Sequence, residues 1–307
     1  MKAFGYQTHG GPEVFNEYDI AEPVVNDQKV KIKTIKFGIN NYDVDQRKQL
    51  AKIVAGKPYI PGLDVVGEIT EVGGDDDQFK VGDLVVARGL HTYAQSVVAK
   101  KTNVAKLAND QNLNEAVGMV TSGIAAYNIV HSFAEIKPEM TIVVQGASGG
   151  VGSIVTQLLA GFDNLKIIGI ASSKNATYVQ SLGVDQFIAY DQVNLAQELN
   201  SVADIVIDTS LNGAGLNSDM AMLKAGGQLL MAAGVEQPAN DKNIQFIPVG
   251  FTDKFTEGYI LKELVSLLEK DQLQIRISKV MPFELASVIQ GHQLMEQHPQ
   301  GRIIIGQ

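Results

Sequence analysis

Cysteine is absent from the 307 residues. That absence excludes disulfides, thiolate zinc sites, iron–sulfur clusters and cysteine nucleophiles together. Histidine is scarce, limited to His9, His91, His131, His292 and His298. No two of these stand four apart, as a zinc-binding pair on one helix face would. Each reads as a surface or satisfied core histidine, and no catalytic metal is expected. No apolar run reaches the ~18 residues of a membrane-spanning helix. The start, Met1-Lys-Ala-Phe-Gly-Tyr6, lacks the apolar core of a signal peptide. A cytoplasmic protein is the expectation. Positive charge is in deficit: 25 Lys and Arg face 34 Asp and Glu, for a formal net charge of -9. With no long basic run to offset it, this balance argues against nucleic-acid and membrane partners. Neither an internal repeat nor a low-complexity tract is visible.

What remains is ordinary soluble-protein material, 45% hydrophobic and 19% charged. The length favours two domains. The most informative stretch runs from Thr141 to Ser153. Thr141-Ile-Val-Val144 has the β-branched character of a buried strand. Gly146, Gly149, Gly150 and Gly152 follow within seven residues. Ser153 to Ala160 then carries apolar residues at helical spacing. Strand, glycine turn and helix bring backbone N–H groups and a positive helix end against a pyrophosphate. The dinucleotide fingerprint appears as Ala147-x-Gly149-x-x-Gly152, with Ala147 at its first glycine position. A side chain at Gly149 would stand where the phosphates approach, and one at Gly152 would push the helix off the strand.

Before this stretch the chain reads as short strands and turns. Lys29 to Lys36 alternates charged and apolar residues with one break, predicting a strand with one wet face. Leu63 to Val72 is a second strand, interrupted by Asp64 and Glu68. Gly73 to Gln78 is an acidic turn without the oxygen-ligand spacing of a calcium loop. A turn into a strand over 81–87 and a further strand over 92–99 suggest a small barrel-like β-domain. From Asn114 helical patterning begins, and Lys137-Pro138 ends it. Strands over 165–170, 186–189, 203–208 and 228–233 then alternate with helical stretches, which is the rhythm of a doubly wound parallel sheet. A helix over 253–270, a strand over 275–280, a helix over 284–297 and a last strand at 302–305 break that rhythm. They are expected to return to the first domain.

The order of motifs resembles a medium-chain dehydrogenase/reductase of the zinc-free quinone oxidoreductase (zeta-crystallin-like) group. The resemblance spans essentially the whole chain. It rests on Gly10-Gly-Pro-Glu-Val14, Gly38-Ile-Asn40 with Asp43, Pro58-Tyr-Ile-Pro-Gly62 with Asp64 and Gly67, Phe79-Lys-Val-Gly-Asp83, the Gly146–Gly152 turn and Gly301-Arg-Ile-Ile304. It implies an α/β protein with a GroES-like β-barrel catalytic domain, residues 1–120 completed by 254–307, and a Rossmann NADPH-binding domain over 121–253. In zinc-dependent relatives a cysteine stands where Asn40 is, and a His-Glu pair where Leu63-Asp64 are. Without a Lewis acid, hydride transfer favours acceptors already electron-poor, such as quinones or conjugated enones.

A NAD-preferring fold places an acid about 20 residues past the glycines. Here that strand ends in Ser172-Ser-Lys174 with no acid. Lys174 and Tyr190 match positions that contact the 2′-phosphate in similar quinone reductases, so NADPH is the expected cofactor. Two charge-assisted bonds would favour it over NADH by about 10²–10⁴-fold. The expected cofactor contacts are Ala147, Ser148, Gly149, Gly150, Val151, Gly152, Ser172, Ser173, Lys174 and Tyr190. Thr209-Ser-Leu-Asn-Gly213 after one strand, and Ala232 to Val235 after the next, including Ala233 and Gly234, should hold the ribose and carboxamide. Phe251 matches a residue near the nicotinamide, or is an interface aromatic.

For the chemistry the candidates are Asn40, Tyr42 and Asp43. Asn40 can donate from its amide. Tyr42 lies where zinc-dependent relatives carry a hydroxyl relay residue, or it simply packs. Asp43 fixes the loop. Tyr59 reads as structural. Three functions compete: an NADPH-dependent quinone reductase, an enone, alkenal or enoyl-thioester C=C reductase, and a non-enzymatic NADPH-binding protein. An apolar segment at Asn243 to Pro248 suits pairing of two Rossmann edges, so a homodimer is expected.

Overall fold

The computed structural model describes residues 1–75, 77–108, 111–234, 236 and 242–306. Asp76 of the acidic turn and Val235 of the expected carboxamide loop lie outside them. In chain order the first strands and helices are β1 (Lys2–Gly5), β2 (Asn16–Asp19), β3 (Lys29–Ile39), α1 (Asn41–Asp45), β4 (Asp64–Val72), β5 (Leu84–Arg88), β6 (Ser96–Lys100), β7 (Val104–Lys106) and α2 (Leu113–Asn128). The middle holds β8 (Thr141–Gln145), α3 (Gly150–Ala160), β9 (Lys166–Ala171), α4 (Ala176–Gln180), β10 (Gln186–Ala189), α5 (Leu195–Glu198), β11 (Ala203–Asp208), α6 (Leu216–Met222), β12 (Leu223–Met231) and β13 (Gln245–Pro248). The chain closes with α7 (Glu257–Glu269), β14 (Ile277–Pro282), α8 (Leu285–Glu296) and β15 (Arg302–Gly306).

Two compact units result, residues 1–124 with 255–307, and residues 125–254. In the first, a seven-stranded sheet runs β14-β15-β3-β4-β5-β7, with β6 also on β3. Only the β14–β15 pair is parallel. The last strand therefore lies inside this sheet, against β3. The break in the alternation of Lys29 to Lys36 has a physical cause. The β3–β4 register shifts between Thr34 and Lys36. Such a bulge moves one residue out of phase, so Val30, Ile32 and Thr34 are buried before it and Phe37 and Ile39 after it. The unit's core gathers Phe4, Tyr6, Phe15, Phe37, Tyr93 and Ile305 among others.

The second unit is a six-stranded, all-parallel sheet in the order β10-β9-β8-β11-β12-β13. Numbered within the unit this is 3-2-1-4-5-6, the dinucleotide-binding order, whose ligand crevice lies at the carboxyl ends of the strands where the order reverses. Its central strands are apolar on both faces, as a sheet covered on both sides requires: Ile142, Val143 and Val144 of β8 and Ile205, Val206 and Ile207 of β11 are fully buried.

Two expected strands are corrected. The strand expected at 92–99 begins only at Ser96. His91 adopts a left-handed φ of 64°, and the Thr92 and Tyr93 N–H groups go to Gly62 and Pro61 carbonyls instead of a strand partner. The strand expected at 228–233 begins at Leu223, because Ala203 already pairs with Leu223 across an irregular Lys224-Ala-Gly-Gly segment.

Candidate functional site

The second unit's glycine turn follows β8. Gly146 has a φ of 80°, a conformation that favours glycine. A Cβ on Gly152 would sit 2.3 Å from Gly146 O and 2.7 Å from Thr209 Oγ1, so no side chain fits. At Gly149 the nearest atom would be Gly146 O at 3.2 Å, and the residue is exposed, leaving open space before α3. Gly149 is the helix N-cap, with extended φ and ψ, so the free N–H groups of the first turn point out beside it. A cradle too tight for a Cβ at its base and open at its mouth fits a dinucleotide pyrophosphate. Ala147 is buried under the turn, while Ser148, Gly150 and Val151 are accessible. Thr209 braces the turn: its N–H and Oγ1 both donate to Gln145 O, at 3.0 and 2.8 Å.

Beyond β9, Ser172 is buried and its Oγ accepts from Asn175 Nδ2 at 3.1 Å. Lys174 and Tyr190 are exposed. Ser173 is not free, however. Its N–H and Oγ donate to Asp191 at 2.8 and 2.7 Å. These bonds pull the Asp191 carboxyl below its ordinary value. Asp191 was not recognised in the sequence, because it stands after β10 and not after β9; its neighbour Tyr190 was the available signal. Ala233 is half-buried, Gly234 is exposed, and Phe251 is 92% exposed.

In the first unit, α1 is built on a capping box. Asn40 N–H donates to Asp43 Oδ2 at 2.8 Å, with the Asn40 side chain taking the N–H of Asp43 in return. The Asn40 amide is committed as well: Nδ2 donates to Asp64 Oδ2 at 2.9 Å, and Oδ1 accepts from Arg302 Nη2. Asp64 Oδ1 accepts the Thr121 N–H, at 3.2 Å, and the Thr121 hydroxyl; Arg302 Nη2 lies 3.4 Å from Asp64 Oδ2. Burial pushes Asp64 up, while Arg302, Thr121 and Asn40 pull it down. Burial likewise pushes Asp43 up to about 7. The Tyr93 hydroxyl donates to Asp43 at 3.3 Å and lies 3.2 Å from His292 Nε2. Burial holds His292 neutral.

A 320 Å³ pocket opens beside this network, its walls including Tyr42, Asp43, Gln46, Tyr59, Arg88 and Thr121. Tyr42 and Asp43 are thus brought together at the pocket, whereas Asn40 is one layer behind it, in the network. Tyr42 is 49% exposed. Tyr59 is held by a bond from its hydroxyl to Gln46 Oε1 at 2.9 Å. Arg88 was missed in the sequence. It ends β5 and pairs with Glu257 through Nη1, leaving Nε without a partner. A larger pocket of 370 Å³ shares Tyr59, Ile60, Leu90 and His91 with the first. Among the described residues no three His, Cys, Asp or Glu side chains are grouped as a metal ion would need. No described helix is long and apolar enough to cross a membrane.

Two family models match the chain, one described as "Alcohol dehydrogenase GroES-like domain" over residues 26–137 and one as "Zinc-binding dehydrogenase" over residues 150–262. The chain belongs to the medium-chain dehydrogenase/reductase family. As such it is an oxidoreductase of the quinone oxidoreductase-like type, with a GroES-like domain and a Rossmann-type domain. It is similar to a quinone oxidoreductase of Pongo abelii, 29% identical over 240 residues, which is 75% of this chain and 72% of that protein. It is also similar to an NADPH-dependent alkenal/one oxidoreductase of Arabidopsis thaliana, 25% identical over 99% of this chain and 79% of that protein. Among solved structures, Escherichia coli quinone oxidoreductase complexed with NADPH superposes with a TM-score of 0.87 at 21% identity, covering all of both chains. That last likeness is one of fold.

Proposed function

We propose that this oxidoreductase transfers a hydride from NADPH to quinones or similarly electron-poor acceptors without a catalytic metal. The observation that carries the reading is the commitment of Asp64. It stands where zinc-dependent relatives carry a metal-site glutamate, and here its oxygens are taken by Arg302, Asn40 and Thr121. A metal-free site needs an acceptor that tolerates developing negative charge on its own oxygen. The bound nicotinamide would supply the hydride. The pocket residues do the rest. Tyr42 presents a phenol to protonate the new oxyanion, and Arg88 supplies positive charge to the pocket wall. Asp43 and Asn40 set the position of α1 through the capping box, so they act on Tyr42 rather than on the acceptor.

The test is NADPH oxidation with 1,4-benzoquinone and with a small enone in parallel. Turnover of the quinone, with a loss of about 10²-fold or more in kcat for Tyr42→Phe, supports the assignment. Faster turnover of the enone moves the protein to the alkene reductases, a reading favoured by the alkenal/one oxidoreductase relative that matches 99% of the chain. Turnover undiminished in Tyr42→Phe removes the phenol from the mechanism.

The choice of NADPH rests on Lys174 and Tyr190, which are exposed, and on the lack of an acid at the end of β9. Asp191 opposes it from the next strand. For NADPH, Asp191→Asn should tighten binding by removing a like charge, and Lys174→Ala should weaken it by about tenfold. If Asp191→Asn instead weakens NADH binding and leaves NADPH unchanged, Asp191 is a ribose ligand and NADH is the donor. The protein is further proposed to form a homodimer through the edge strand β13.

A further inference from the structure

One cluster in the second unit takes no part in the chemistry above. Asp208 ends β11, Asp219 lies on α6 and Gln145 ends β8; both aspartates are wholly buried and Gln145 is 7% exposed. Asp208 Oδ1 accepts the Ser210 N–H at 2.7 Å. Asp208 Oδ2, both Asp219 oxygens and Gln145 Oε1 receive no donor from the described residues. The Gly215 N–H donates to Ser210 Oγ at 3.2 Å, so Asp208, which holds Ser210, and Asp219, which lies against Gly215, converge on the same segment. A Cβ on Gly215 would sit 2.9 Å from Gln145 Nε2 and 3.0 Å from Asp219 Oδ2, so the amide and the carboxyl face one point.

We infer that Asp208 and Asp219 share a single proton, and that this acid pair clamps α6 and the Thr209–Gly215 segment onto the carboxyl edge of the sheet, which makes Asp219 a positioning residue for the glycine turn. Two ionised carboxylates without a cation are not stable side by side away from water. Among the described residues no Lys, Arg or His bonds either carboxyl. Lys224 is paired with Asp204 near the opposite end of β11, Lys242 donates to Met220, Ala221 and Leu223 carbonyls at the far end of α6, and Glu198 of α5 is exposed. Asp208 holds the Ser210 N–H, and Asp219 holds the proton. Burial and then the Asp208 charge push Asp219 up to about 9. The clamp reaches the turn through Thr209, which follows Asp208 directly and whose Oγ1 fills the space beside Gly146 and Gly152.

Asp219 titrates higher in the folded chain than in the unfolded one. Between about pH 4 and 9 the unfolded chain has released this proton and the folded chain has kept it, so the folding equilibrium constant falls about tenfold per pH unit from this group. Asp219→Asn keeps the size, can donate to Asp208 and does not titrate. The ratio of its folding constant to that of the unaltered chain, from urea denaturation, should rise at least ~10²-fold between about pH 5 and 8. A ratio independent of pH, or one that falls, overturns the shared proton. If Asp219→Asn does not fold, infrared spectroscopy of the unaltered chain decides. A protonated-carboxyl band must persist above the titration of Asp43, at about pH 8, and its absence there overturns the proposal.

A second arm reads NADPH binding by fluorescence. Affinity should drop several-fold from about pH 8 to 10 in the unaltered chain and stay flat in Asp219→Asn. An equal drop in both proteins overturns the link from clamp to turn. This arm rests on the turn being a dinucleotide site. Failure to bind NADPH at every pH defeats that reading and leaves the infrared and stability results to judge the acid pair.

Discussion

Without its guanidinium, Arg302 would leave Asp64 fully buried and facing only Asn40 and Thr121. Removing one partner of a buried charge pair costs about 3–5 kcal/mol. Arg302→Met should therefore lose about that much stability in urea unfolding, and adding Asp64→Asn should recover more than half of it. A loss below about 1 kcal/mol would mean that the network is held by its neutral hydrogen bonds alone. Asp43 gives the pH counterpart. Its folded value, about 7, lies above the ordinary carboxyl value. Its contribution to stability is thus full below about pH 4 and lost as pH rises to 7, at about 1.4 kcal/mol per pH unit. Asp43→Asn should flatten that slope in denaturation curves taken at pH 5 and 7.5. At this scale the sequence marked the acids and hid their partners. Asp64 stood out as a charge in a buried strand, and Asp43 by its place three residues after Asn40. Arg302 lies 262 residues from Asn40, and nothing local to a strand of three isoleucines tells which acid its single charge will meet. Asp191 escaped for the same reason, since its partner Ser173 is on a neighbouring strand end.

Elements were legible where one local pattern decided them. The strands at Gln186–Ala189 and Ala203–Asp208 have the bounds their apolar runs predict, whereas the helix expected from 253 opens only at Glu257, after Thr256 accepts the Tyr259 N–H. They were illegible where a distant backbone overrode the pattern, as at 92–95, where the N–H groups go to the Pro61-Gly62 turn, and at Leu223, where β11 draws an unpatterned segment into the sheet. The glycine turn is the element with the sharpest test. Gly152→Ala places a methyl 2.3 Å from a carbonyl oxygen and 2.7 Å from Thr209 Oγ1. It should cost about 1–3 kcal/mol of stability through overpacking and weaken NADPH binding with it. Isothermal titration and thermal melts read the two losses separately. A variant that melts like the unaltered chain and binds as tightly would show that α3 can shift freely, contrary to the contacts of the turn.

For the whole molecule, the two units were legible as a β-rich part and a doubly wound part, because the period of the hydrophobic pattern changes between them. Their relation to a second copy of the chain was not, because an edge strand looks alike in sequence whether it meets solvent or a partner. β13 is that edge, paired only with β12 among described strands and partly exposed. Light scattering at micromolar concentration should give twice 33.0 kDa; a monomer mass removes the proposed pairing. The placement of β15 between β14 and β3 has a further consequence during synthesis. The first 124 residues leave the ribosome with Asp64 and Asn40 in place and no Arg302 to meet them. At ordinary elongation rates roughly 10–40 s pass before it emerges. For that interval the nascent barrel carries an open seam along β3, whereas the strands of the second unit have all emerged and can close first. The part of the protein that begins the chain is thus the part that must wait for its last strand, and it is where a chaperone would have most to cover.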